Sequence, residues 1–404
     1  MLIKIAFRNV FRNRRRSAIT LLVIVMGAVG LILFGGYKAR TFWALRESTI
    51  RSRLGHLQIY KFGYSKTESQ KPLEFALDNP DDIARAIERD PRVKMTAQQI
   101  TVMGLVSNGE KSETFMATAV EPKKDREMNS QRMTAGTGLP DDDPDTAVLG
   151  AGLAASMHVK PGDYVTLMTT TVTGSLNAAD VRVTGIFMTG VKEYDERIIK
   201  MPIRGARQLL QTKKVEKILV FLNNTDDTTA VHASLDRLFR EHHWQLEMKE
   251  WGELASFYQQ VVLLYNGIFG FLGLIVFAIV VFSVANTIVM SILERTREIG
   301  TLMAIGTTRG RVWRMFLIEG FLIGLLGGVF GLAFGAALGW LINRGNIMLP
   351  PPPGYTVGYP LKIMLQSSTL VAAFGISVVT ATISSIIPAL RASRMKIVDA
   401  LGHI

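Results

Sequence analysis

The feature that most constrains this chain is a set of four long apolar stretches without a charged side chain. They are rich in Leu, Ile, Val, Phe, Ala and Gly, and they cover Ser17–Tyr37, Leu254–Leu293, Gly320–Asn343 and Ile363–Leu390. A helix needs about 20 residues to cross roughly 30 Å of hydrocarbon, and each stretch reaches that length. The pattern therefore predicts four membrane-spanning helices, the second of which begins as a stalk outside the bilayer.

The distribution of charge predicts the topology of the chain. The 404 residues include 46 Lys and Arg against 34 Asp and Glu, a net charge of +12. Residues 38–253 contain 30 of these bases and 30 of these acids, so the whole basic excess lies beside the apolar stretches. The positive-inside rule then predicts that both termini and the 294–314 loop are cytoplasmic and that residues 38–253 are periplasmic. This clustering also argues against a nucleic-acid partner, which the net charge alone would suggest.

The residues before the first span have a pattern of their own. Phe7 and Phe11 fall on one face of a helix while Arg8 and Arg12 fall on another, which is typical of a helix lying in the cytoplasmic membrane interface. A plain topology signal is the alternative. We interpret the first span as a retained anchor rather than a cleaved signal peptide, because its apolar run is longer than a signal core and no small-x-small site follows near Gly36.

The segment between the first two spans alternates helix and strand signals and predicts two small α+β lobes. Val93–Val106 and Ser112–Val120 read as strands joined at Asn108 and Gly109, a strong hairpin signal. Ala147–Met157 reads as a helix. The predicted fold class is thus a membrane protein with four transmembrane helices and a large α+β extracytoplasmic domain between the first and second.

Motifs for catalysis and for metal or nucleotide binding are missing from this sequence. It contains no cysteine, which excludes thiolate metal sites and cysteine nucleophiles. His242 and His243 have no third ligand at metal-binding spacing, and none of the motifs G-x-x-x-x-G-K-[ST], G-x-S-x-G or H-E-x-x-H occurs. We therefore expect that the chain is not an enzyme by itself and that it binds no metal or cofactor.

The loop between the second and third spans is the most informative stretch. It offers four charged residues, then apolar residues at i, i+3 and i+4, and then a glycine that can stop a helix. These residues are Glu294, Arg295, Arg297, Glu298, Ile299, Leu302, Met303 and Gly306. A short helix with an apolar patch and charged flanks is suited to docking in a groove of another protein. A simple basic turn between spans is the alternative.

The same loop resembles the E-R-x-R-E-I-G-x-L-x-A-[IL]-G signature of the MacB/LolC/LolE/FtsX-type permeases, the mechanotransmission (type VII) class of ABC transporters. Pro388, Ala389 and Arg391 after the fourth span agree with the same family. The resemblance implies a separate pair of ATPase subunits that bind ATP and Mg, with Glu294–Gly306 as the coupling helix seated on them. MacB carries its ATPase ahead of the first span, whereas sixteen residues precede the span here, so we expect a permease of the stand-alone kind.

The resemblance also implies a permease dimer, formed with a second copy or a homologous permease. Gly267, Gly270 and Gly273 on the second span would allow close helix approach, and we predict them at the dimer interface. The four spans contain no Asp, Lys or Arg, and only Glu319 stands at the cytoplasmic edge of the third. A solute pathway through the bilayer is therefore disfavoured, and a mechanical role remains.

The first functional hypothesis is a permease that extrudes or releases a lipoprotein or other amphiphile on the periplasmic side. The alternatives are an FtsX-like regulator of a periplasmic cell-wall hydrolase, and an exporter of toxic compounds or peptides. A periplasmic lipoprotein, carrier or hydrolase is therefore a possible partner.

The organisation predicted for this bacterial inner-membrane protein has nine segments. They are an interfacial helix (1–16), the first span (17–37), the periplasmic domain (38–253), the stalk and second span (254–293), the coupling loop (294–314), the third span (315–343), a Pro-rich periplasmic loop (344–366), the fourth span (367–390) and a cytoplasmic tail (391–404). No role follows from the sequence for Pro350–Pro353 in the loop.

Overall fold

The structure is a computed structural model, and it describes residues 14–66, 75–128, 132–351, 358–397 and 400. The predicted interfacial residues Phe7, Arg8, Phe11 and Arg12 lie outside the described residues.

The chain divides into two compact units, which we call the helical unit and the α/β unit. The helical unit comprises Met1–Trp43, Val261–Leu349 and Pro360–Ile404, and the α/β unit comprises Ala44–Gln260 and Pro350–Tyr359.

The helices and strands are numbered in chain order. The helices are α1 (Arg14–Thr49), α2 (Pro80–Ile87), α3 (Pro122–Met128), α4 (Ala151–Met157), α5 (Lys192–Asp195), α6 (Ile203–Leu210), α7 (Thr228–Glu241), α8 (Trp251–Leu254), α9 (Ser256–Leu293), α10 (Thr296–Ala304), α11 (Arg309–Arg344) and α12 (Ser367–Ser393). The strands are β1 (Leu57–Lys61), β2 (Val93–Ser107), β3 (Ser112–Val120), β4 (Arg132–Gly136), β5 (Thr146–Gly150), β6 (Tyr164–Thr170), β7 (Leu176–Met188), β8 (Ile198–Pro202), β9 (Lys217–Leu222), β10 (Leu246–Glu250), β11 (Met348–Leu349) and β12 (Tyr359–Pro360).

Four helices are long and apolar enough to cross a membrane: α1, α9, α11 and α12. The α/β segment lies in the chain between α1 and α9, so the predicted fold class is confirmed. The helix α1 is longer than the first apolar stretch, since it continues through Tyr37 to Thr49 and then into a π-helical turn, Ile50–Leu54.

Glycines on α11 allow its neighbours to approach closely. Gly320, Gly324 and Gly328 recur every four residues, and a Cβ at any of them would lie 2.7–2.8 Å from a side-chain atom of α12. Gly327 and Gly331 form a second stripe, where a Cβ would lie 2.5 and 2.4 Å from side chains of α1. The third span is therefore the packing centre of the helical unit, through the small-residue spacing that favours helix contact in membranes.

The α/β unit is built on a mixed sheet with the order β10-β1-β9-β2-β3-β8-β5-β7-β4, in which β6 pairs with β2 and β7. The 15-residue strand β2 pairs with β9 through its first half and with β3 through its second half. The two lobes therefore share a continuous sheet, and one hydrophobic core extends from Leu57 in β1 to Phe239 in α7.

The sequence predicted one part of this sheet correctly and another part incorrectly. The hairpin at Asn108 and Gly109 is confirmed, because β2 and β3 pair antiparallel up to Ser107 and Ser112. The predicted helix Ala147–Met157 is wrong in its first half, where Thr146–Gly150 forms β5 with all five residues buried. A strand buried on both faces has a continuous apolar sequence, which periodicity cannot distinguish from a buried helix.

Candidate functional site

The loop between α9 and α11 folds into the short helix α10, which begins at Thr296 and ends at Ala304. Its C-terminus is fixed by Gly306, whose φ of +96° favours glycine. The N–H of Gly306 donates to the carbonyl of Met303 at 3.1 Å, and the N–H of Thr307 donates to that of Leu302 at 3.0 Å. This pair of bonds is a Schellman motif, so the predicted helix stop at Gly306 is confirmed.

One face of α10 packs into the helical unit. Ile299 is 1% exposed and Met303 is 8% exposed, and both belong to a core cluster that includes Ile292 on α9 and Phe316 on α11. Gly300 is also buried on this face. The expectation that Ile299, Leu302 and Met303 form one docking patch is therefore wrong, because the i and i+4 positions are already buried within this chain.

The opposite face of α10 is exposed and offers a different set of side chains. Arg297, Glu298 and Leu302 lie on it, with Leu302 39% exposed. Ile305, just beyond the helix, is 77% exposed. The sequence pattern missed Ile305 because it lies outside the i, i+3, i+4 spacing; an apolar side chain directly before the helix-stopping glycine was the available signal.

Charged residues fix the start of α10 to the neighbouring helices. Arg16 at the start of α1 donates to both carboxylate oxygens of Glu294, at 3.0 and 2.7 Å. Arg295 donates through Nε to Glu298 at 3.1 Å, and the hydroxyl of Thr296 donates to the carbonyl of Ile292 at 3.0 Å. A bidentate arginine–carboxylate pair holds both groups in one orientation, so the position of α10 is set from α1 as well as from α9.

The predicted dimer residues lie on an open part of α9. Apart from the neighbouring residues and backbone of α9 itself, no heavy atom of the described residues lies within 4 Å of the place that a Cβ would take at Gly267, Gly270 or Gly273. Their role at a dimer interface stays a prediction, as does the coupling role of residues 294–306.

In the α/β unit, a chain of hydrogen bonds links Glu47, Thr225 and His56. The hydroxyl of Thr225 donates to Glu47 at 2.8 Å, and His56 Nε2 lies 3.1 Å from that hydroxyl. His56 Nδ1 accepts the N–H of Leu222 at 3.1 Å. Because Nδ1 is the acceptor, Nε2 carries the proton and cannot take one from Thr225, as a catalytic base would have to. This chain of bonds therefore holds β9 in place rather than activating a nucleophile.

Burial lowers the pKa of His56 from 6.5 to about 4, although Glu47 opposes the shift. His56 is 4% exposed, so charging the imidazole there would leave it poorly solvated.

The acidic loop that follows β4 makes ion pairs within the protein. Asp141 accepts two hydrogen bonds from Arg126, at 2.6 and 2.5 Å, and Asp143 pairs with Arg182 at 3.2 Å. Within the described ranges, no three His, Asp or Glu residues are grouped so that they could hold a metal ion.

Two protein families match the chain. The family described as the MacB-like periplasmic core domain matches residues 17–238, more than half of the chain, and the family described as the FtsX-like permease C-terminal matches residues 270–397.

Relatives with names agree with these families. The macrolide export ATP-binding/permease protein MacB of Psychrobacter arcticus is 26% identical over 48% of this chain and 28% of its own length. The lipoprotein-releasing system transmembrane protein LolC of Neisseria meningitidis is 24% identical over 81% of this chain and 83% of its own length. The pyoverdine export ATP-binding/permease protein PvdT of Pseudomonas putida is 24% identical over 98% of this chain and 58% of its own length.

The chain thus spans less than two thirds of the MacB and PvdT relatives and most of the LolC relative. It belongs to the family of membrane permeases that combine a MacB-like periplasmic core domain with an FtsX-like C-terminal region. Its four long apolar helices agree with a multi-pass membrane permease of this family.

Proposed function

We propose that this chain passes ATP-driven movement across the inner membrane and thereby extrudes or releases a lipoprotein or another amphiphile on the periplasmic side. The observation that carries the proposal is the division of α10 into two faces. Ile299 and Met303 hold one face in the helical unit, while Leu302 and Ile305 leave an apolar surface exposed on the other. A helix held on one side and open on the other can receive force from a partner and pass it to α9 and α11.

The partner that we propose on this surface is an ABC ATPase, present in two copies and supplying the ATP and Mg sites. The 404 residues contain no phosphate-loop motif, so ATP hydrolysis is assigned to that subunit. Arg297 and Glu298 flank the apolar residues and would orient the partner, since exposed ion pairs add little affinity.

A second permease copy or a homologous permease would complete the complex along α9. The open surface at Gly267, Gly270 and Gly273 supports this arrangement. The positive-inside rule supports cytoplasmic termini, a cytoplasmic α10 and a periplasmic α/β unit.

The proposed substrate class rests on two arguments. Between Glu298 and Asp399 the sequence has one acidic residue, Glu319, which leaves little for a hydrated solute to bind within the spans. The alignment with a lipoprotein-releasing protein covers 83% of that protein, against 28% for a macrolide exporter. Export of a macrolide or of a siderophore such as pyoverdine is the second candidate, because relatives with those names match this chain as well.

A reconstituted release assay tests the substrate class. The full chain and the ATPase that co-purifies with it would be placed in proteoliposomes with a palmitate-labelled lipoprotein or with a fluorescent macrolide. We expect ATP-dependent release of the lipoprotein, and its loss in Ile305→Asp. Macrolide transport without lipoprotein release would favour the exporter, and capture of a cell-wall hydrolase by the full chain with neither activity would favour the FtsX-like regulator.

A further inference from the structure

A buried carboxylate on the third span has an unused acceptor atom. Glu319 on α11 is 4% exposed. Its Oε1 accepts the hydroxyl of Ser291 at 3.4 Å, a long hydrogen bond, while its Oε2 is buried without a hydrogen-bond partner among the described residues. A carboxylate in such a place is costly unless a positive group balances it.

Over the ranges that the structure describes, Arg295, which immediately precedes α10, has a buried N–H donor without an acceptor, whereas Glu319 has a buried acceptor without a donor. The side chain of Arg295 is 11% exposed, and its Nε donates to Glu298. Its Nη1 is buried and has no acceptor within the described part of the chain. The bases that act electrostatically on Glu319 are Arg295 and Arg16, and Arg16 already donates to both oxygens of Glu294.

Arg295 is therefore a base that acts electrostatically on Glu319 and that has a buried N–H donor without an acceptor among the described residues. A guanidinium has five N–H donors, so Arg295 can bind Glu298 at the surface and Glu319 in the interior, together or in turn. Arg295 immediately precedes α10 and Glu319 lies within α11, so a pair between them would join these two helices.

We propose that Glu319 is a positioning residue that anchors Arg295, so that the pair ties the start of α10 to the third span. Movement of α10 is then passed directly to α11, the helix on which α1 and α12 pack through glycines. The proposal rests on the proposed function only in taking α10 as the element that the ATPase moves.

The test uses a spin label on α10 in the full chain, which is straightforward because the sequence has no cysteine. The label is attached at Ala304→Cys, an exposed position, in chain reconstituted into nanodiscs without an ATPase. Glu319→Gln and Arg295→Gln should each shift the equilibrium toward the mobile spectral component by about tenfold. Arg311→Gln, the same substitution at an exposed arginine of α11, should leave the spectrum unchanged.

The double variant decides the result. If the residues act as a pair, Arg295→Gln with Glu319→Gln should be no more mobile than either single variant. Its thermal midpoint should return toward that of the wild type, because removing both members leaves no unpaired buried charge. Additive effects on mobility, or no effect of either single variant, would overturn the proposal.

If Glu319→Gln alone cannot be purified, recovery of a folded double variant supports the pair and failure of the double variant contradicts it. Since no ATPase is present, these outcomes are independent of whether a partner docks on α10.

Discussion

Acid should destabilise the α/β unit through His56. The imidazole has a pKa of about 4 in the folded protein and 6.5 as its ordinary value. The unfolded chain therefore binds more protons between these values, and the free energy of unfolding falls as the pH falls from about 6.5 to about 4. From these two pKa values we expect a loss of about 2 kcal/mol between pH 7.5 and pH 5.

The effect of His56 on the free energy of unfolding falls in a higher pH range than the effect of the carboxylates. Lys214 and Lys61 lower the pKa of Asp78 from 3.8, and Arg92 lowers that of Asp90. Stability gained from these carboxylates is lost only at lower pH, as each is protonated.

Urea unfolding of the full chain in nanodiscs measures this effect. A fluorophore on a single cysteine at Ala233 reports the unfolding of the α/β unit. The control is His56→Asn, whose side-chain oxygen can still accept the N–H of Leu222 but does not titrate. We expect this variant to lose the dependence on pH between 7.5 and 5. An equal slope in the wild type and in His56→Asn would refute the assignment to His56.

Three further predictions follow from the helical unit and the topology. Ile299→Ala should lower the stability of the helical unit by about 2–5 kcal/mol, as measured by thermal unfolding in nanodiscs. Ile305→Ala should leave the stability nearly unchanged, and equal losses in the two variants would contradict the description of α10 as having one buried and one exposed face. Gly331→Ala should cost about 1–3 kcal/mol in the same assay, because the new Cβ overpacks against α1, and an unchanged midpoint would argue against this contact. In intact spheroplasts a membrane-impermeant thiol reagent should label Ala178→Cys and spare Thr308→Cys, and the reverse pattern would contradict the orientation.

The four long helices could be predicted from the sequence because their signal is local. A charge-free apolar run of sufficient length has few alternatives in a folded chain. The helix stop at Gly306 was predictable for the same reason, since a positive φ after a helix strongly favours glycine.

The neighbour that each helix face contacts could not be predicted in the same way. The spacing of Ile299, Leu302 and Met303 shows that they share a side of α10, but it does not show whether that side meets this chain or a partner. The glycines chosen on α9 and the missed glycines on α11, such as Gly324 and Gly331, illustrate the same limit. Small residues permit close approach, but only the neighbouring helices decide which stripe is used.

The strand conformation of β5 and the proposed role of Glu319 could not be predicted, because both depend on contacts with residues that are distant in the sequence. The strand is buried between β7 and β8, and its apolar composition is equally suited to a helix. The proposed partner of Glu319 is Arg295, which lies 24 positions earlier in the chain and outside α11. The spacing of residues along a single helix therefore does not reveal this pair.

The affinity of the ATPase for this chain tests the central claim most directly. Full burial of an isoleucine contributes about 1.5–3 kcal/mol, and Ile305 is 77% exposed before docking. Ile305→Asp in the full chain in nanodiscs should therefore weaken binding of the co-purifying ATPase by about tenfold or more. The matched control is Ile347→Asp, at an exposed isoleucine beyond α11, which should bind the ATPase as the wild type does. Wild-type affinity in Ile305→Asp would contradict α10 as the coupling helix.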